Sequence, residues 1–223
     1  MKIKVCGMRN SENISELIKL KPDYMGFIFY KKSKRFVSDF PQVKIPSEIK
    51  KVGVFVNETI ETIVKIVQKH QLDAVQLHGN ETPEYIRSLS GVEVTYNENI
   101  NNVISTPLNR QVEIFKAFSV DDDFDFSKTE PYQKVCDYLL FDTKGKDYGG
   151  NGVKFNWQML DNYKGELPYM LSGGITKDDS QVILSFLRRQ ESNKCIGVDI
   201  NSGFEIEPAL KNIANIKEFK QNL

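Results

Sequence analysis

VGVFVNETIETIVKIV, residues 52–67, carries the fold in miniature. Val52–Val56 holds no polar side chain, so it reads as a strand covered on both faces, the pattern of a parallel sheet packed under helices. Asn57, Glu58 and Thr59 make a polar turn. Ile60, Ile63, Val64 and Val67 then recur at i, i+3, i+4 and i+7, which is one stripe of an amphipathic helix. A covered strand followed at once by such a helix is a βα unit.

The unit recurs along the chain. Further strands are expected at Ile3–Cys6, Tyr24–Tyr30, Asp73–Leu77, Val112–Phe118, Tyr138–Phe141, Tyr169–Leu171 and Ile196–Ile200. The helix after the first strand carries Ile14, Leu17 and Ile18 on one face, with Asn10 or Ser11 as its cap. Thr82 and Pro83 suit the N-cap and first turn of another helix. Helices are also expected around Asp178–Leu187 and Pro208–Lys220. Eight βα units in 223 residues imply an α/β protein with a single (β/α)8 barrel domain, a TIM barrel spanning residues 1–223. An open doubly wound sheet is the alternative. Two stretches break the rhythm. Residues 92–111 are polar and Asn-rich and read as an elaboration at the N-terminal end of the barrel, away from the chemistry. Residues 120–126, VDDDFDF, read as a solvated helix start. No internal repeat is strong enough to use, and no linker divides the chain.

Hydrophobic residues make up 40% of the chain and charged residues 27%, the balance of a globular protein rather than a disordered one. Lys plus Arg equals Asp plus Glu at 30 each, so there is no basic field for a nucleic acid, and any phosphate must be held locally. The opening MKIKVCGMRN is too polar for a signal peptide, and no apolar run is long enough to span a bilayer. Cys6, Cys136 and Cys195 are odd in number and scattered, which argues against a disulfide framework and for a reducing, cytoplasmic setting. With only His70 and His78 beside them, no metal cluster is expected.

In a barrel, residues ending the strands converge on one mouth. Here they are Cys6 and Gly7, Tyr30 with Ser33 and Arg35, Asn57, His78 and Gly79, Asp142, Gly173 and Gly174, and Asp199 to Gly203. Two glycine turns point to a phosphate. Gly173 and Gly174 follow strand seven, before a helix that Thr176 or Asp178 could cap, and Ser202 and Gly203 follow strand eight and could open a short extra helix. Cys6 and Asp142 are the candidate base and acid. A cysteine serves as a base where its thiolate is favoured, and the apolar run before Asp142 tends to hold a proton on that carboxyl. Lys144 is then expected to point away from Asp142. Cys6 by itself also fits a small packing residue, the reading given to Cys136 and to Cys195, which precedes strand eight at the other end. His78 has no partner in the sequence and reads as mouth-lining or structural, and His70 as a surface residue.

The motifs resemble those of phosphoribosylanthranilate isomerases. K-V-C-G-M, G-F-I-F with S-K-R-F-V, V-G-V-F-V-N, V-Q-L-H-G, L-L-F-D-T, G-G-N-G-V-K-F-N-W, L-S-G-G-I and V-D-I-N-S-G-F-E occur in the family's order. The resemblance covers the chain except 92–111 and the stretch around 119–136. It implies an Amadori rearrangement of N-(5-phosphoribosyl)anthranilate to 1-(2-carboxyphenylamino)-1-deoxyribulose 5-phosphate, within tryptophan biosynthesis. No cofactor is implied, because the iminium is its own electron sink. By resemblance Cys6 is the base, Asp142 the acid and Arg35 the fork facing the anthranilate carboxylate. Gly173, Gly174, Ser202 and Gly203 hold the phosphate, and the loop Gly149–Gly152, with Gly150 and Gly152 lining the mouth, helps close the site. The chain departs from the family pattern in having Asn151 in place of threonine and Asn156 in place of aspartate, which bears on loop stability rather than on the reaction. The related sugar isomerase of histidine biosynthesis typically has aspartate on strand one, so Cys6 argues against it. A non-catalytic phosphosugar-binding barrel would more readily have lost Cys6 or Asp142. The implied partner is a small phosphosugar, with no nucleic acid or membrane; a homodimer or a tryptophan-pathway enzyme partner is left open.

Overall fold

Eight parallel strands close on themselves in the computed structural model, which describes residues 1–91, 112–143, 156–189 and 192–223. They are β1 (Lys2–Val5), β2 (Tyr24–Ile28), β3 (Lys50–Phe55), β4 (Ala74–Leu77), β5 (Glu113–Val120), β6 (Tyr138–Thr143), β7 (Tyr169–Leu171) and β8 (Cys195–Ile200). Each pairs with the next, and β1 pairs with β8 in the register Ile3 to Val198 and Lys4 to Asp199. The barrel expected from the βα rhythm is therefore the fold, and the open sheet is excluded by the β1–β8 pairing. The expected elaboration at 92–111, and Lys144 and Gly149–Gly152, lie outside the described residues.

Among the described residues the outer layer is not built of regular α-helices throughout. α1 (Ser11–Lys19), α2 (Ile60–His70), α3 (Pro83–Ser90), α4 (Ser180–Leu187) and α5 (Ile213–Gln221) are α-helical. Asn10 caps α1 by accepting from the Asn13 N–H at 2.9 Å, and Thr82 caps α3 through the Tyr85 N–H at 3.2 Å, with Pro83 in the first turn. Between β2 and β3 there is no α-helix; Pro41 and Pro46 break that segment, and it lacks a helical stripe. After β5 and β6 the described helices are 3-10 turns, Phe126–Tyr132 and Trp157–Asn162, the first started by Asp125 at the end of the acidic stretch. The expected helix from Pro208 begins instead at Ile213. Residues Glu205–Glu207 (β9) and Leu210–Lys211 (β10) form a small hairpin turned by Ala209 at φ 69°, and Asn212 caps the helix behind it. His70 is also not a bare surface residue: its ring stacks on Phe40 at 4.3 Å and faces Phe29 at 6.0 Å.

Strand side chains alternate between the two faces, so each strand feeds both cores. Val5, Phe27, Phe55, Val75 and Leu139 point outward under the helices with Ile14, Leu17, Ile63 and Val64. Tyr24, Val52, Ala74, Phe115, Leu140 and Met170 fill the barrel interior at its lower end. Phe115 packs edge-on to Tyr24 at 5.5 Å and stacks on Tyr138 at 4.7 Å. That plug leaves the upper interior to shorter and polar side chains. No helix among the described residues is long and apolar enough to cross a membrane.

One device repeats at the lower rim. Asp23, Asp73 and Asp137 stand just before β2, β4 and β6, and their carboxylates accept from the N–H of Ile3 at 2.8 Å, Lys51 at 2.7 Å and Ile114 at 2.8 Å. Each also donates its own N–H back to the carbonyl of that same residue at 2.9 Å. The N–H of the second residue of β1, β3 and β5 is thus paired by the residue just before the following strand, a two-strand periodicity too sparse to read as a sequence repeat. A hydrogen bond to a charged group contributes about 1.5–3 kcal/mol. Asp73→Ala should lower unfolding stability by that amount, read as a fall in urea midpoint at unchanged m value, with KM untouched because the bond lies at the opposite end from the mouth.

Candidate active site

The alternation that fills the lower barrel continues upward and delivers the site. Stepping by two residues, Lys4 is followed by Cys6, Gln76 by His78, Leu140 by Asp142, Met170 by Ser172, and Asp199 by Asn201. Cys6, Gln76, His78, Asp142, Ser172, Asp199 and Asn201 line one cleft, with Tyr30, Ser33, Arg35 and the glycines of the last two loops around it. The expected acid, base, arginine and phosphate-loop residues and His78 all line it; Gly150 and Gly152 lie outside the described residues. Gly7, Asn57 and Gly79 are not part of its lining. Asn57 sits at φ 49° and its side-chain oxygen accepts from the Asn80 N–H at 2.7 Å, so it ties two loops together.

The two glycine loops touch. Gly173 has φ 91°, and a Cβ there would fall 2.2 Å from Thr143 Oγ1, so only glycine fits. A Cβ on Gly203 would fall 2.1 Å from the Ile175 carbonyl oxygen, which shows how closely the loop after β8 packs on the loop after β7. Thr176 and Asp179 brace the start of the following helix: the Asp179 carboxylate accepts from the Thr176 N–H at 2.7 Å and its hydroxyl at 3.0 Å. Ser202–Phe204 forms the short extra 3-10 turn.

On the opposite side His78 supplies what the sequence around Asp142 lacked. His78 Nε2 is 3.3 Å from Asp142 Oδ2, a close contact without hydrogen-bond alignment. The Gln76 amide nitrogen lies 2.9 Å from His78 Nδ1 and fixes the ring from below. Gln76 carries no sequence signal as a site residue beyond its period-two relation to His78. The loop holding His78 is in turn anchored by a buried pair. Lys116 Nζ is 3.0 Å from Glu81 Oε2 and 2.7 Å from the Gly79 carbonyl, and Glu81 accepts from the N–H groups of Asn57 and Gly79 at 2.9 Å.

Arg35 crosses the rim with two of its N–H groups already used. Its Nε and Nη2 donate to the two carboxylate oxygens of Glu205 at 2.8 and 2.6 Å. Lys211, fully buried, bonds Glu205 Oε1 at 2.6 Å and Asn201 Oδ1 at 2.7 Å. Burial opposes the Glu205 carboxylate, but Arg35 and Lys211 outweigh it and hold the group below the ordinary glutamate range. The Nη1/Nη2 edge of Arg35 still offers two parallel donors. At the base of the cleft, burial pushes the Cys6 thiol above its ordinary value, against the opposing pull of Lys4. A thiolate favoured outright, as the sequence suggested, is thus not what the free site alone provides.

A closed parallel eight-stranded barrel with polar side chains lining one cleft at the C-terminal ends of its strands has the form of a (β/α)8-barrel enzyme. Comparison with known proteins narrows this. The pattern of the N-(5'-phosphoribosyl)anthranilate (PRA) isomerase family matches residues 3–102 and 96–222. The N-(5'-phosphoribosyl)anthranilate isomerase of Parabacteroides distasonis is 43% identical, over 100% of this chain and 93% of its own length. The crystal structure of phosphoribosyl anthranilate isomerase from Thermotoga maritima superposes with a TM-score of 0.74–0.80 across two forms, the higher at 30% identity and covering 100% of this chain and 98% of that one. A further isomerase structure, in complex with reduced 1-(o-carboxyphenylamino)-1-deoxyribulose 5-phosphate, matches with a TM-score of 0.76 at 28% identity, covering 100% of this chain and 97% of that one. The chain belongs to the N-(5'-phosphoribosyl)anthranilate isomerase family.

The loop contact at Gly203 gives a direct test of whether these two loops hold an anion. Gly203→Ala must push the two loops apart, and losing one charge-assisted hydrogen bond is worth about 1.5–3 kcal/mol, or about tenfold to hundredfold in binding. Steady-state kinetics should show KM rising by that factor with kcat changed much less.

Proposed function

We propose that Cys6 is the base and Asp142 the acid for the isomerisation of N-(5'-phosphoribosyl)anthranilate, the reaction of this family, in tryptophan biosynthesis. The observation that carries the assignment is placement: a thiol ending β1 and a carboxyl on β6 face one cleft from strands three apart in the closed sheet, together with the paired loops of β7 and β8. An Amadori rearrangement needs two distinct groups of that kind. Asp142 gives a proton to the furanose ring oxygen, the C1–O bond breaks, and the nitrogen lone pair forms the iminium. Cys6 then takes the C2 proton, and the enolamine tautomerises to the ketose.

The rest of the cleft orients the substrate. Gly173, Gly174, Ser202 and Gly203 take the phosphate, as barrels frequently do at these two loops. Arg35 meets the anthranilate carboxylate with its Nη1/Nη2 edge, its other edge being committed to Glu205. His78, steadied by Gln76, lies against Asp142 and orients its carboxyl toward the sugar. Association with a second copy or with another tryptophan-pathway enzyme is part of the same proposal, and sedimentation of the purified chain tests it.

Freshly generated phosphoribosylanthranilate is expected to lose its fluorescence on conversion, which gives the assay. Cys6→Ala should cut kcat by about 10²–10⁴-fold with the fold intact, as removal of a general base does. Near-normal turnover in that variant would show that another group is the base. Asp142→Asn should depress kcat with KM little changed on the cyclic substrate, while an already ring-opened substrate should largely escape the defect. Equal losses on both substrates would place Asp142 at a later step.

A further inference from the structure

Beneath Cys6 lies a charge that the reaction scheme does not use. Lys4 precedes Cys6 by two residues on β1, so both side chains point into the barrel. Lys4 is 0% exposed, and its ammonium, 3.0 Å from Asp199 Oδ1, sits above the apolar plug with no route to bulk water. Resting on the reading of Cys6 as the base, we propose that Lys4 is the positioning residue that makes it one: its ammonium, braced by Asp199, is the counter-ion of the Cys6 thiolate.

The geometry assigns this job to Lys4 rather than to its neighbours. An ammonium has three donors, and Asp199 takes one of them; the Cys6 thiol, two residues on along the same inward face of β1, is buried next to it. Charges reach Cys6 from every side. Lys4 comes from its own strand, Asp199 from β8, Lys211 from β10 and Arg35 from the segment after β2. Asp199 opposes the thiolate. Lys211 and Arg35 favour it, but both are bound to Glu205, and Lys211 also to Asn201. Lys4 is the cation that Glu205 does not hold, it shares the inward face of β1 with Cys6, and its pull toward the thiolate is the largest among them. Burial opposes the Lys4 ammonium, yet Asp199 and Cys6 outweigh that and keep it charged.

The proton count closes with Lys4 unchanged throughout. The C2 proton moves to sulfur, the C2–H pair becomes the C1=C2 bond, and the C=N π pair returns to nitrogen. In the tautomerisation C1 gains a proton and the C2 hydroxyl loses one. Asp142 has given one proton and the thiol has taken one, and solvent restores both. An ammonium fixed beside sulfur favours the thiolate before each turnover and leaves the C2 proton somewhere to go.

The test reads thiolate formation without turnover. In a Cys136→Ala/Cys195→Ala background, the rate of iodoacetamide alkylation at Cys6 is followed against pH, with the label located by mass spectrometry. Lys4→Met should raise the midpoint by about one pH unit or more, which at neutral pH is a tenfold or greater loss of rate. The ascending limb of kcat/KM should move by the same amount. Where Lys4→Met does not fold, the charge-neutral pair Lys4→Met/Asp199→Asn should move both midpoints upward too, by less. An unmoved alkylation midpoint in a folded variant overturns the proposal. Undiminished turnover in Cys6→Ala overturns the base reading instead, so the two failures are distinguishable.

Discussion

The pairing of Lys4 with Asp199 joins the two ends of the molecule. These residues are 195 positions apart, opposite each other where β1 closes on β8, and their side chains meet at 3.0 Å inside the barrel. Taking two charges out of water costs several kcal/mol per ion, and only good geometry offsets it. A slip of one residue between β1 and β8 would turn one partner to the outer face and leave the other charged and alone in the interior. The pair therefore specifies one closure, and with it the height at which Cys6 and Asn201 stand in the mouth. A pair that fixes register also carries the charge beneath the candidate base.

Two further buried pairs hold the loops above the strands. Lys116 and Glu81 fasten the turn after β4, bringing His78 to Asp142. Lys211 and Glu205 fasten the turn after β8 and hold Arg35 across the rim. In each, a lysine at most 3% exposed reaches a carboxylate whose remaining lone pairs accept other donors. Such satisfaction is the condition for a buried ion pair to hold a structure rather than weaken it. The mouth is thus set by polar contacts with defined directions, where the lower barrel is set by the shape of Tyr24, Phe115 and Met170. A site that must place an acid and a base about a sugar gains from that rigidity, since catalysis falls steeply with misplacement.

Much of this was legible along the chain. All eight strands lie where apolar runs placed them, because covered parallel strands leave no polar face to disguise them. Asn10 and Thr82 cap their helices as their positions suggested, since capping is decided within four residues. Most residues expected at the mouth and described in the structure gather around one cleft, Gly7, Asn57 and Gly79 excepted, because strand order and the two-residue alternation fix which end and which face they occupy. The departures from regular helices among the described residues were less legible. Pro41 and Pro46 signalled one gap, but the hairpin that displaced the start of the last helix depends on Lys211 reaching Glu205 and Asn201. His70 was misplaced for the same kind of reason: its partner Phe40 lies in another segment altogether.

The sequence by itself determined the elements, their order and the ends at which chemistry could sit, because periodicity, caps and breakers act over a few residues. Its motifs also determined the family. What only the tertiary structure decided was which side chains face one another once the barrel closes. Asp142 meets His78 across 64 positions of chain, Arg35 meets Glu205 across 170, and Lys4 comes to lie under Cys6 with Asp199 at its side. These encounters depend on strand tilt, on closure and on where each side chain's charge can find a partner out of water. Such long-range terms have no local signature, and they set the electrostatics of the mouth.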